Sequence, residues 1–98
     1  MTFKSIDYNE LNALRDSVSL HEIIALDVVL TPILDGQWKG LCPFHDDATP
    51  SFMVSEAHHI FHCFGCGVGG DIFGWFMRKR GQSFPEAIES VRRMRKHE

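Results

Sequence analysis

The apolar positions change their period twice along the chain. Leu11, Leu14 and Val18 recur at three- and four-residue spacing behind polar starters, which predicts a short helix over residues 7–18. "SLHE" at 19–22 has the form of a capping box, Ser19 and Glu22 answering each other's orphan amides, and predicts a second helix to about residue 27. From Val28 the residues become β-branched and aromatic: "VVLTPIL", the turn pair Asp35-Gly36 and "QWKGL" form a hairpin pattern. Pro32 cannot donate to a ladder, so its strand belongs near an edge. "SFMV" at 51–54 and "HIFHC" at 59–63, joined by the polar "SEAH", predict two more short strands.

After the flexible "GVGG", Asp71 is placed to cap a helix through about Arg80 whose Ile72, Phe73, Trp75, Phe76 and Met77 seek the sheet. "SFPE" at 83–86, with Pro85 early in the helix, is a second capping box and opens a last helix with Ala87, Ile88, Val91 and Met94 on one face. The expected fold is α+β. A single domain over 1–98 has N-terminal helices at about 7–27, a small antiparallel sheet within about 28–67 and C-terminal helices at about 71–97, all sharing one core.

Size makes that core a weak one. At 98 residues with 44% hydrophobic content, a single core supplies only a few kcal/mol, and domains of this size often add disulfides or a structural metal. Three cysteines cannot all pair within one chain, and "MTFKSIDYNELNALR" carries early acids and no apolar leader core, so a reduced, cytoplasmic chain is expected. No apolar run approaches the roughly 18 to 20 residues that cross a bilayer. The net charge of −3 is unevenly spread: residues 1–77 hold three basic and ten acidic side chains, residues 78–98 seven basic and three acidic. Any attraction for phosphate is therefore concentrated in the C-terminal segment.

Cys42-x-x-His45 and Cys63-x-x-Cys66, 17 residues apart, use every cysteine in the chain and have the spacing of two ligand pairs on one tetrahedral zinc. Thiolates prefer a borderline-soft ion to magnesium or calcium, and a closed Cys3His set leaves no position for water, so one structural Zn2+ is expected. Gly65 and Gly67 are expected to supply positive φ in the second turn. A redox role for "CFGC" would leave Cys42 and His45 unexplained and lacks the βαβ setting of thioredoxin-like motifs. His62 adjoins Cys63 and, as its strand neighbour, points to the opposite face, which favours His45 as the ligand. His21, His58, His59 and His97 have no paired spacing, and solvated or locally hydrogen-bonded imidazoles are expected there.

Over roughly residues 18–94, "GLCPFHDDATPSFMV", "HIFHCFGCGVGGDIFGWFM" and "SFPEAIESV" closely resemble the zinc-binding domain of bacterial and phage DNA primases. The resemblance implies a zinc ribbon flanked by helices with Cys42, His45, Cys63 and Cys66 as ligands. It further implies a domain that helps a separate catalytic primase or polymerase core recognise single-stranded DNA template and start RNA primers, with a helicase as a further partner. The magnesium-dependent toprim core of that family has no counterpart in these residues, so no polymerising chemistry is expected of them. Family members commonly carry lysine or arginine where this chain has Leu34-Asp35-Gly36, Ala48 and His58, and Asp46 and Asp47 add negative charge beside the first ligand pair. Phosphate contacts on the sheet are expected to be weaker for it. The candidate DNA contacts are Trp38, Lys39, His59 and Phe61 on the sheet, for stacking and one cation, and Arg78, Lys79 and Arg80 after it. A zinc-stabilised protein-interaction subunit of a replication complex, with little DNA binding of its own, is the alternative.

Overall fold

Five strands form one antiparallel sheet in the order in which they occur along the chain. The structure, a computed structural model, describes residues 7–46 and 48–95; Asp47, His97 and the expected helix end at 96–97 lie outside them. Helices α1 (Tyr8–Asp16) and α2 (Leu20–Ile24) precede strands β1 (Thr31–Leu34), β2 (Gln37–Gly40), β3 (Phe52–Ser55), β4 (Ile60–Cys63) and β5 (Gly69–Gly70), and helices α3 (Ile72–Lys79) and α4 (Phe84–Met94) follow. Pro32 lies on the edge strand β1 opposite Trp38, where a missing N–H breaks no inner ladder. Gly36 turns the β1–β2 hairpin at φ 73°, a region glycine enters without steric cost. The "GVGG" stretch was expected only to connect. Its last two residues instead pair with Phe61 and His62 as β5.

Directly paired residues share a face of the sheet, and successive residues alternate. Gly40, Phe52 and Cys63 form one such row, and Trp38, Val54 and Phe61 the next. Phe52, Val54, Phe61 and Cys63 are all buried, so this face meets the helices. The other face carries Lys39, Met53 and His62 in one row and Gln37, Ser55 and Ile60 in the next, none of them buried.

Trp75 of α3, fully buried, is the hub of the core: the rings of Phe61, Phe44 and Phe52 lie 5.4, 5.7 and 6.1 Å from it. Its indole Nε1 is buried without a hydrogen-bond partner. Ile72, Phe73 and Phe76 are buried with it, whereas Met77, expected on the same face, is 40% exposed. In α4, Ala87, Ile88 and Val91 are buried and Met94 is 41% exposed, because the helix ends there, with Arg95 already extended.

The caps show which local signals prevail. Asp71 accepts the Gly74 N–H at 3.0 Å through one oxygen and pairs with Arg15 of α1 at 3.1 Å through the other. Ser83 and Glu86 form the expected capping box. Ser19 makes no side-chain cap bond to its own helix. Its hydroxyl donates to Glu56 Oε1 from the β3–β4 turn at 3.0 Å, and that same oxygen accepts the His21 backbone N–H at 2.6 Å and Nδ1–H at 2.7 Å. A carboxylate 35 residues away thus takes over the capping of α2, because its charge makes each bond stronger than a serine hydroxyl could. The His21 ring, held by Glu56, stacks on Trp38 with centroids 3.7 Å apart and planes within 7°.

Burial works against the Glu56 carboxylate, yet the bonds from His21 and Ser19 outweigh it and hold its pKa below the usual 4.5. A depressed pKa means that this clasp stabilises the fold fully above pH 4.5 and loses its contribution as the pH falls through the lower folded value. Glu56→Ala is expected to cost roughly 2 kcal/mol at pH 7. Denaturant titrations of the zinc-loaded wild type and variant at pH 7 check this; a variant as stable as the wild type refutes the clasp.

Candidate metal centre

Cys42 and His45 follow β2, while Cys63 ends β4 and Cys66 lies three residues on. The register sets Gly40 opposite Phe52 and Phe52 opposite Cys63, which carries both ligand turns to one end of the sheet. There the four side chains each offer one ligand atom, and those atoms all lie within 4.8 Å of one another. Cys42 Sγ is 3.8 Å from Cys66 Sγ, and Cys63 Sγ is 4.0 Å from His45 Nδ1.

These spacings suit one ion. Two sulfurs each about 2.3 Å from a tetrahedral zinc stand about 3.8 Å apart, and Cys42 and Cys66 already have that separation. It is far beyond the roughly 2.05 Å of a disulfide bond. Cys42 and Cys63 are buried, His45 is half-buried and Cys66 is exposed, so the cluster sits at the rim of the core. With three sulfurs and one imidazole, the donor set selects zinc over hard cations, and the four side chains are built for one structural Zn2+.

The surroundings prepare the sulfurs for charge. The Phe44 N–H points at Cys42 Sγ from 3.4 Å, and Ser51 Oγ lies 3.4 Å from Cys63 Sγ. Burial pushes the Cys42 thiol up to about 12. Burial acts in the same direction at Cys63, but the Ser51 hydroxyl and the N–H groups of Cys66 and Gly65 overcome it and hold that thiol down to about 6. A zinc ion held by these four side chains would bind the sulfurs as thiolates, so its binding would release the proton of the buried Cys42 thiol.

Of the two glycines expected at positive φ, only Gly67 adopts it, at 81°. Gly65 is needed for space instead: a Cβ there would stand 3.0 Å from Ser51 Oγ and 3.1 Å from His45 Nε2. On the sheet's core side, Phe44 between the first two ligands packs on Phe61 and Trp75, which ties the metal turn to the helical layer.

The expected DNA contacts do not share a surface. Lys39 is exposed on the open face. Trp38 and Phe61 point the other way: Phe61 is 1% exposed and offers no ring face to a base, and one face of Trp38 is covered by His21. His59, at φ 53° in the β3–β4 turn, reaches Asp16 of α1 at 3.5 Å. Arg78, Lys79 and Arg80 close α3 in the helical layer, where Arg80 pairs with Asp27 at 2.9 Å. The open face carries residues not anticipated: Met53, His62 and, just beyond β4, Phe64, which is 73% exposed and meets His62 edge-on at 4.7 Å. Strict period-two alternation would have separated Trp38 from Lys39, whereas no local signal told exposed Phe64 from Phe44, which also lies between two ligands yet packs into the core.

Structural zinc contributes on the order of 10 kcal/mol or more to folding. Cys63→Ser is therefore expected to leave the chain without a cooperative melting transition at 25 °C and above, whereas the wild type carries one zinc per chain and loses its transition on chelation. Thermal denaturation monitored by circular dichroism, with metal content by mass spectrometry, checks both; a variant that melts like the wild type overturns the structural role.

Comparison with known proteins agrees with this geometry. The CHC2 zinc finger family model matches residues 6–98. The DNA primase of Mycolicibacterium smegmatis is 42% identical over 80 residues, which cover 82% of this chain and 13% of that protein. The DNA primase of Enterococcus faecalis is 52% identical over 54 residues, covering 55% of this chain and 9% of that protein. The crystal structure of Aquifex aeolicus primase, containing its zinc-binding and RNA polymerase domains, superimposes with a TM-score of 0.77 at 34% identity over 90% of this chain and 22% of that one. The chain thus spans a small fraction of the primases it matches, and that fraction is the metal-binding part: it belongs to the CHC2 zinc finger family, the zinc-binding domain of DNA primases.

Proposed function

We propose that this domain acts in a DNA-priming system, where its zinc-stapled sheet holds single-stranded template beside a separate catalytic RNA polymerase core. The observation that carries the proposal is the open sheet face: Lys39, Met53 and His62 stand in one row, continued by the exposed ring of Phe64. One cation can meet a phosphate while the aromatic ring and the imidazole accept stacked bases, each stack being worth about 1 to 3 kcal/mol. The ligands tie both ends of this row, since Cys63 lies on β4 beside His62 and Cys42 follows Lys39 by three residues just past β2. Arg78, Lys79 and Arg80 form a second cationic group for phosphate or for an acidic partner such as the polymerase or a helicase.

A second reading rests on charge. Lys39 is the only lysine or arginine in the five strands, and Asp35 and Asp46 flank the sheet as exposed acids. Nucleic-acid affinity draws much of its free energy from released counterions, so a protein-docking subunit with little DNA contact also fits.

Fluorescence anisotropy with single-stranded oligonucleotides separates the two. Template binding predicts that Phe64→Ala weakens affinity roughly 5- to 150-fold and that Lys39→Ala lowers the slope of log K against log salt by about 0.7. Both variants are expected to keep the wild-type zinc content and melting temperature. Binding that is absent or unmoved by salt, together with retention of a polymerase subunit on the immobilised domain, favours the docking reading.

A further inference from the structure

We propose that Ser51 is a positioning residue for the metal centre: its hydroxyl donates to the Cys63 thiolate and sets how firmly that ligand holds the ion. Ser51 immediately precedes β3 and grips the second ligand turn at two points. Its carbonyl accepts the Phe64 N–H at 2.9 Å, and its Oγ stands 3.4 Å from Cys63 Sγ. The missing side chain of Gly65 makes room for this approach, since a Cβ there would come within 3.0 Å of the same Oγ.

The direction of the bond follows from the chemistry. A metal-bound thiolate has lone pairs and no proton, so the hydroxyl must be the donor. Cys63 is 0% exposed, and no bulk water can replace the hydroxyl once it is removed. The backbone donors from Gly65 and Cys66 belong to the turn itself, whereas Ser51 reaches in from another segment and couples the sulfur to the sheet. Such outer hydrogen bonds fix the orientation and basicity of metal ligands, and their loss typically lowers metal affinity roughly 10- to 100-fold. Without its donor the Cys63 sulfur loses the contact that fixes its direction from the sheet, and the ion is held less firmly.

The test uses the whole chain loaded with cobalt or zinc, comparing the wild type with Ser51→Ala, Ser51→Thr and Ser51→Val. Ser51→Ala and Ser51→Val are expected to move the sulfur-to-cobalt charge-transfer band to longer wavelength and to lower zinc affinity roughly tenfold in competition with a chromogenic chelator. Ser51→Thr, which keeps the hydroxyl, is expected to retain the wild-type band and affinity. A role in packing alone would lower the melting temperature without shifting the band. The proposal is overturned if Ser51→Ala keeps both the band and the affinity, or if the Thr and Val variants behave alike. Because Thr and Val match in size, their comparison decides the matter even if Ser51→Ala does not fold.

Discussion

Four side chains meeting within 4.8 Å at one end of a short sheet are the constraint on which this molecule depends. Each strand is only two to four residues long, and isolated hairpins of that length are marginal in water. Closing two turns on one ion adds a few strong bonds to many weak ladder contacts and pins the register at that end. The helices cover the other resource of the sheet, its apolar face.

The bridge between metal and helices is aromatic. Phe44 lies between two ligands in sequence and against Trp75 in space, and Phe52 and Phe61 approach the same indole from neighbouring strands. The first ligand turn is thus packed directly on the α3 core through contiguous rings, and a change of volume in either is felt by the other. The opposite face of the sheet is free of that burden, which leaves its side chains available for recognition.

How much of this was legible in sequence depended on the range of the interactions involved. The ligand set was, because its information is a spacing between residues close in the chain. The edge position of Pro32, the Asp35-Gly36 turn and the caps at Asp71 and Ser83 were legible for the same reason. What failed involved distant partners or the choice of a face. Ser19 and Glu22 looked like a closed local pair, but Glu56 draws the Ser19 hydroxyl away and takes the neighbouring His21 amide from across the fold. Trp38 and Phe61 looked like a recognition surface because aromatic residues suit both a core and a platform, and only the register decides which side they occupy. The Gly69–Gly70 strand was hidden because glycine carries no side-chain pattern at all.

The meander order of the strands has its own consequence. Every strand pairs with the one next to it in the chain, so no β contact requires a crossover, and each new ladder closes only a short loop. A sheet of this kind can be assembled progressively from one end. All four ligands fall between residues 42 and 66, so the clasp closes a loop of some two dozen residues and needs no partner from the helices on either side.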